Sequence, residues 1–132
     1  MTLLMLDTDI SSYVIRRRPP TIAQQFDRYA EQLCVSVMTA AELRFGAIRA
    51  GRTELSSLVE AYLARVTILD WPDSATFHYA RVRTTLQRLG TSIGNMNLLI
   101  ACHALVEQAT LVTNNLKHFA PVPGLKVEQW NT

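Results

Sequence analysis

The sequence predicts an α/β fold in which a parallel sheet of four to five strands is sandwiched between helices. Short apolar or β-rich runs alternate with longer helical stretches along all 132 residues, which is typical of parallel strands joined by crossover helices. At 48% hydrophobic residues, the chain can bury one sizeable core and has little room for a second. We therefore expect one domain over residues 1–132, without internal repeats or linkers.

The first half of the chain contains two predicted strands. An apolar run at residues 3–6 is typical of a buried parallel strand, and a short β-rich run covers residues 33–37. The intervening and following stretches have helical character and end at prolines or at a glycine in a C-cap position. The predicted helices span residues 11–17, 21–31, 38–50 and 53–64.

The second half adds the remaining elements in the same alternation. Residues 66–69 and 110–113 are predicted as strands, and residues 125–128 as a last strand at the edge of the sheet. Asp73 or Ser74 is expected to cap a long helix that ends at Leu89. A second, apolar helix is predicted for residues 95–107, and a turn or short helix for residues 114–119.

Composition excludes several classes of protein. The net charge of +2 is too small to indicate nucleic-acid binding by itself, and the arginine clusters are read as solvated helix faces. No stretch reaches the ~18 apolar residues of a membrane span, and the N-terminus lacks a basic signal region. Cys34 and Cys102 lie in apolar runs and are expected to be buried thiols, so a cytoplasmic location is expected.

Polar side chains follow several predicted strands at the point where each strand ends. Asp7 and Asp9 follow the first strand, Glu42 follows the second, and Thr113 ends a late one. Ligands of such sheets bind at the carboxyl ends of the strands, where the strand order reverses. Hard divalent cations such as Mg²⁺ prefer oxygen ligands of this kind. Together with Asn97 at a helix start, these residues suggest a divalent metal site.

Each of these residues also has a purely structural interpretation. Asp7 can cap the following helix, and Thr39-x-x-Glu42 matches a capping box in which the glutamate folds back on its own helix. Asn97 can cap a helix, with Asn95 as a competing cap, and asparagines near residue 115 are ordinary turn residues. The residues alone leave both interpretations open.

Four segments in order resemble the PIN-domain ribonucleases of the VapC type, which are toxins of bacterial type II toxin–antitoxin pairs. Each segment alone is a weak match, but their order and separations are those of the family. The resemblance covers nearly the whole chain and rests on residues 5–9, 36–47, 94–104 and 111–115, followed by Phe119 and residues 123–125.

The resemblance implies a PIN-like α/β/α sandwich that hydrolyses RNA with Mg²⁺ or Mn²⁺. The family's acidic residues fall on Asp7, on Glu42 and on the position held here by Asn97. A fourth polar position, Asp in many members and Asn in others, falls on Asn115. The accessory positions implied are Thr113, which matches a hydroxyl residue, and Asp9, which stands where many members carry Asn.

The resemblance also implies partners. The substrate is expected to be RNA, and tRNA in particular. A cognate antitoxin is expected to fill the active-site groove with its tail and to carry the DNA-binding domain, so that operator DNA is contacted only through the antitoxin. We expect a homodimer within a larger toxin–antitoxin assembly, and we expect no association with a membrane.

Asn97 is the departure from the family pattern. An amide keeps an oxygen ligand but removes a full negative charge, so the affinity for a hard dication should fall. Two explanations stay open, an engineered detoxified variant and a natural, weakly active member. An inactive antitoxin-binding or RNA-binding module is the alternative function. An aspartyl phosphotransferase of the haloacid-dehalogenase type is disfavoured, because the late region offers Lys117 without the required acids.

Overall fold

A five-stranded sheet in which every neighbouring pair is parallel forms the centre of the molecule. The computed structural model describes residues 2–130. The strand order is β3-β2-β1-β4-β5, so the first strand lies in the middle. The last strand lies at an edge, which confirms the prediction for it. The strands are β1 (Leu4–Leu6), β2 (Leu33–Ser36), β3 (Thr67–Leu69), β4 (Thr110–Val112) and β5 (Val127–Glu128).

Helices cover both faces of the sheet, which confirms the predicted α/β class. Within residues 2–130 there are seven α-helices and a short 3-10 helix at Ala30–Gln32. The predicted domain limits, Met1 and Thr132, lie outside the described residues. The helices are α1 (Thr8–Arg16), α2 (Pro20–Arg28), α3 (Val37–Ala50), α4 (Thr53–Leu63), α5 (Ala75–Arg88), α6 (Asn95–Val106) and α7 (Leu116–Phe119).

Side chains of the central strand β1 alternate between two hydrophobic cores, one on each face of the sheet. Leu4 and Leu6 pack with α1 to α4, and the buried Trp130 belongs to this core. Met5 packs on the other face with α5, α6 and Phe119 of α7. Because β1 is buried on both faces, it consists only of apolar residues, as expected for a central parallel strand.

Helices α1, α2 and α3 begin earlier than the sequence predicts, and α1 and α3 share one reason. Helix α1 was expected from residue 11 but starts at Thr8, because the Asp7 carboxylate accepts a hydrogen bond from the Ile10 backbone N–H at 2.8 Å. Helix α3 was expected from residue 38 but starts at Val37. Here Ser36, the last residue of β2, is the N-cap and accepts from the Met38 N–H at 3.1 Å. In both cases a polar residue at the end of the strand is also the N-cap of the helix, so no loop separates the two elements.

The strand order reverses between β1 and β4, and this switch point defines the edge where the candidate residues lie. The Asp7 backbone N–H donates to the Val112 carbonyl at 3.1 Å, which continues the β1–β4 register by one residue. Asp7 and Thr113 therefore lie side by side just beyond the ends of their strands.

Two further expectations from composition agree with the structure. Cys34 and Cys102 are buried free thiols. Among residues 2–130, the helices include none whose length and apolar character would suit a bilayer span.

Candidate active site

Asp7 is the most buried carboxylate of the candidate site. It follows the central strand directly, and its side chain is only 3% exposed. One carboxylate oxygen caps α1, so the structural interpretation of Asp7 is correct. A cap alone does not require burial of a charge, because N-caps are usually satisfied at exposed helix ends. The capping role and a functional role are therefore compatible at this residue.

The environment of Asp7 disfavours its charged form. The pKa of the Asp7 carboxyl is raised from 3.8 to about 6, mainly by burial and to a lesser extent by the negative charges of Asp9 and Glu42. The Thr113 hydroxyl and the Ile10 N–H oppose that rise. A desolvated carboxylate with acidic neighbours is a site that a cation would stabilise.

Asp7→Asn is expected to stabilise the metal-free protein at neutral pH. Between about pH 4 and 6 the folded protein keeps a proton on Asp7 that the unfolded chain has already lost. The free energy of unfolding of the parent therefore falls as pH rises through this range. Asn keeps an oxygen for the Ile10 N–H but carries no charge. Above pH 7 the variant should be more stable by on the order of 2 kcal/mol.

Urea unfolding at a series of pH values in the presence of a chelator measures this effect. The difference in the free energy of unfolding between Asp7→Asn and the parent should be small at pH 4 and should grow as pH rises from 4 to 6. Two stability profiles that stay parallel across this range would contradict the proposed environment of Asp7. Asp73→Asn, at an exposed carboxylate that does not act on Asp7, is the matched control.

Glu42 is held by a residue of α1, not by its own helix. The Thr8 hydroxyl donates to Glu42 Oε1 at 2.6 Å, and Thr8 Oγ1 lies 3.4 Å from the Thr39 hydroxyl. The capping-box interpretation of Thr39-x-x-Glu42 is wrong, because Ser36 is the N-cap of α3 and Thr39 lies inside the helix. Glu42 therefore points toward the β1–α1 junction, next to Asp7.

Thr113 and Asn115 complete the strand-tip region on the β4 side. Thr113 is fully buried, and its hydroxyl accepts a hydrogen bond from the Asn115 backbone N–H at 3.0 Å. Asn115 is half-buried and occupies the N-cap position of α7, where its side chain caps no N–H group. The neighbouring Asn114 accepts from the Trp130 backbone N–H at 3.1 Å, so it ties down the following chain.

Asn97 lies in the first turn of α6 and is half-buried. Neither Asn97 nor Asn95 caps this helix, whose N-cap is Gly94, so the capping interpretation is wrong for both. The Trp71 indole, just beyond β3, donates to the Leu99 carbonyl at 2.9 Å, which places the start of α6 near the carboxyl edge of the sheet. The side-chain hydrogen bonds of Asp7 go to Ile10 and Thr113, and that of Glu42 goes to Thr8. Within residues 2–130 neither side chain bonds to Asn97.

Asp9 is exposed and lines an open groove next to the candidate site. This groove has a volume of about 330 Å³ and runs along α1, α3 and α4. Its polar end is formed by Thr8, Asp9 and Glu42, and Arg16 also lines it. The apolar part is lined by Tyr13, Ile15, Leu43, Ala47, Leu55 and Val59.

The donor set fits a hard divalent cation. Asp7 and Glu42 supply carboxylates, position 97 an amide oxygen, and Mg²⁺ commonly binds with one or two carboxylates plus water. No three His, Cys, Asp or Glu side chains within residues 2–130 form a metal-ligand cluster. With Asn at position 97, the carboxylates of the candidate ligand set are those of Asp7 and Glu42.

Thr8 is the site residue that sequence reasoning missed. In the structure its hydroxyl orients Glu42. The bond joins residues 34 positions apart, and no local pattern signals it. The only hint in the sequence is its position directly after Asp7.

Comparisons with known proteins agree on one family. The model of the PIN domain family matches residues 4–125. The chain is 38% identical over 130 residues to Ribonuclease VapC2 of Rickettsia felis, covering 96% of this chain and 97% of that protein. It is 34% identical over 131 residues to the tRNA(fMet)-specific endonuclease VapC of Salmonella typhimurium, covering 98% of this chain and 99% of that protein.

A solved structure agrees with these sequence relatives. The crystal structure of VapBC2 from Rickettsia felis, bound to a DNA fragment from its promoter, superposes with a TM-score of 0.91 at 37% identity. The match covers 98% of this chain and 99% of that chain. The strand order and the crossover helices described above are therefore those of a known architecture.

Proposed function

The chain belongs to the PIN-domain family, and on that premise we propose that it is a VapC-type endoribonuclease toxin that uses Mg²⁺ or Mn²⁺. The observation that carries the proposal is the pair Asp7 and Glu42, brought together across Thr8 at the switch point of the sheet. A buried carboxyl with a raised pKa beside a second carboxylate is suited to binding a cation and poorly suited to a purely structural role.

The chain's own residues have distinct roles in this proposal. Asp7, Glu42 and the residue at position 97 would hold the divalent cation, which when bound supplies an activated water and stabilises charge on the scissile phosphate. Thr8 keeps Glu42 in place. Thr113 and Asn115, already joined by a hydrogen bond, would orient groups around the cation.

Asn97 implies that this chain is impaired as a nuclease. Loss of one carboxylate lowers the negative charge of the site and loosens the cation's geometry. The same observation supports a second candidate function, a module that binds an antitoxin or RNA without cutting. The haloacid-dehalogenase alternative is dropped, because the chain belongs to a different family.

The substrate proposed is RNA, with tRNA as the first candidate because one relative is a tRNA(fMet)-specific endonuclease. The test is incubation of the protein with total tRNA and Mg²⁺ or Mn²⁺, beside a sample with excess chelator. Metal-dependent cleavage that leaves a 5′-phosphate and a 3′-hydroxyl supports the enzyme. Tight tRNA binding without cleavage, in this chain and in Asn97→Asp alike, supports the binding module.

An antitoxin is the proposed occupant of the groove along α1, α3 and α4. Its apolar walls suit a segment with hydrophobic side chains, and its acidic end at Asp9 and Glu42 favours a cationic side chain. Relatives of this chain form VapBC complexes on promoter DNA. We propose that operator DNA is bound only through the antitoxin here as well.

Gly46 offers a direct test of the groove. It lines the groove on α3, and a Cβ added there meets no atom within 4 Å, so the fold accommodates a side chain. Gly46→Phe should fill the groove and weaken binding of the cognate antitoxin by about tenfold or more, as loss of a central contact does. Isothermal titration calorimetry with the purified antitoxin measures the change.

Gly46→Ala is the matched control for this variant. It adds the smallest side chain and removes the helix penalty of glycine, so it should raise stability slightly and leave antitoxin affinity nearly unchanged. Equal affinity of the Phe variant and the parent would place the antitoxin elsewhere.

We further propose a cytoplasmic homodimer. Buried free thiols at Cys34 and Cys102 suit a reducing compartment. Two large apolar side chains on or next to α5, Phe77 and Leu89, are each 68% exposed and are candidates for burial between subunits.

A further inference from the structure

His103 is a fully buried polar residue that the proposed function does not use. It lies on α6 with 0% exposure, packed between the helix and the sheet. Its Nδ1 lies 2.8 Å from Ser36 Oγ, although the two residues are 67 positions apart.

The carboxylate beside Nε2 assigns the histidine tautomer. Ser36 Oγ accepts from the Met38 N–H, and its own hydroxyl proton can be donated to His103 Nδ1. The ring then carries its proton on Nε2, which lies 3.5 Å from Glu107 Oε2. The opposite tautomer would direct a bare Nε2 lone pair at a carboxylate.

The electrostatic surroundings agree with a neutral ring. Burial lowers the pKa of His103, and the carboxylate of Glu107 and the backbone of Asp70 only partly oppose this. Nε2 has no hydrogen bond of normal geometry within residues 2–130. The charged group beside it is the Glu107 carboxylate.

This hydrogen bond joins the two helices that carry two of the proposed cation ligands. Position 97 and His103 are both on α6, whereas Ser36 caps α3, which carries Glu42. Thr39 in the first turn of α3 approaches the Thr8 hydroxyl, which in turn donates to Glu42. A shift of the α3 start would therefore move Glu42 relative to Asp7 and position 97.

We propose that His103 is a positioning residue that fixes the start of α3 through Ser36 and thereby sets the position of Glu42 relative to α6. The consequence for cation binding rests on the proposed function, whereas the positioning itself does not. His103 contacts neither the substrate nor the cation in this account.

The first test needs no metal and no activity. In ¹⁵N-labelled protein, the His103 ring should show the pattern of an Nε2–H neutral tautomer. The Glu42 side-chain ¹³C resonance should move in His103→Leu, which cannot accept the Ser36 proton. It should stay near its original position in His103→Asn, whose amide oxygen can take the place of Nδ1. Ile100→Val, at an equally buried residue of α6, controls for general loosening of the core.

The second test measures Mn²⁺ affinity in the Asn97→Asp background. His103→Leu should weaken binding by about tenfold, and His103→Asn should recover most of it, as expected for groups that orient ligands. An Nδ1–H tautomer, or Glu42 resonances and Mn²⁺ affinities that change equally in His103→Leu and Ile100→Val, would overturn the inference. If Asn97→Asp itself binds no Mn²⁺, the proposed function fails, and the Glu42 resonances still decide the positioning role.

Discussion

Asn97→Asp is expected to raise the rate of metal-dependent tRNA cleavage by about 10²-fold or more, which corresponds to about 2.7 kcal/mol of transition-state stabilisation. The substitution places a carboxylate in the first turn of α6, at the position proposed as the third cation ligand. A third carboxylate tightens a hard cation and fixes its geometry. Asp and Asn have nearly the same shape, so the fold should not change.

Single-turnover cleavage of one tRNA by both proteins measures the effect. The matched control is Asn95→Asp, which adds the same charge at the same helix end on an exposed residue. If charge near the helix N-terminus were the cause, both substitutions would raise the rate alike. Equal rates for Asn97→Asp and the parent would mean that position 97 is not a cation ligand.

Glu42→Gln, made in the Asn97→Asp background, is expected to reduce cleavage by about 10³-fold, as loss of a metal-binding charge at the reacting phosphate should. Gln keeps an oxygen that can accept the Thr8 hydroxyl, so the local hydrogen bond survives while the charge is lost. The same substitution in the parent chain should change little, because residues that act as a unit are strongly non-additive.

The cleavage rates of the four combinations at positions 42 and 97 form a double-mutant cycle. Additive losses at these two positions would indicate independent roles and contradict a shared cation. Glu54→Gln on α4 changes the same functional group at an exposed position and should leave the rate unchanged.

The order of elements could be predicted because burial dictates it. Parallel strands buried on both faces appear as short apolar runs, and β1 and β4 stand out in this way between longer helical stretches. The starts of α1 and α3 could not be predicted to the residue. At both, a polar cap follows the strand without a loop, and the hydrogen bonds to Ile10 and Met38 determine where the helix begins.

The meeting of Asp7 and Thr113 could be predicted from topology, because the carboxyl ends of neighbouring parallel strands share one edge. The orientation of Glu42 could not, since Thr39-x-x-Glu42 equally fits a capping box and only the long-range bond from Thr8 decides between them. The link between His103 and Ser36 also depends on how α6 crosses the sheet. The sequence pattern around these residues carries no sign of that crossing.

Direct titration of Mn²⁺, followed by the loss of its free electron paramagnetic resonance signal, tests the central claim that Asp7, Glu42 and position 97 form one cation site. We expect this chain to bind Mn²⁺ weakly and Asn97→Asp to bind it about tenfold more tightly or better. It also predicts that Asp7→Asn or Glu42→Gln abolishes the gained affinity. Equal Mn²⁺ affinity in all of these proteins would contradict the account.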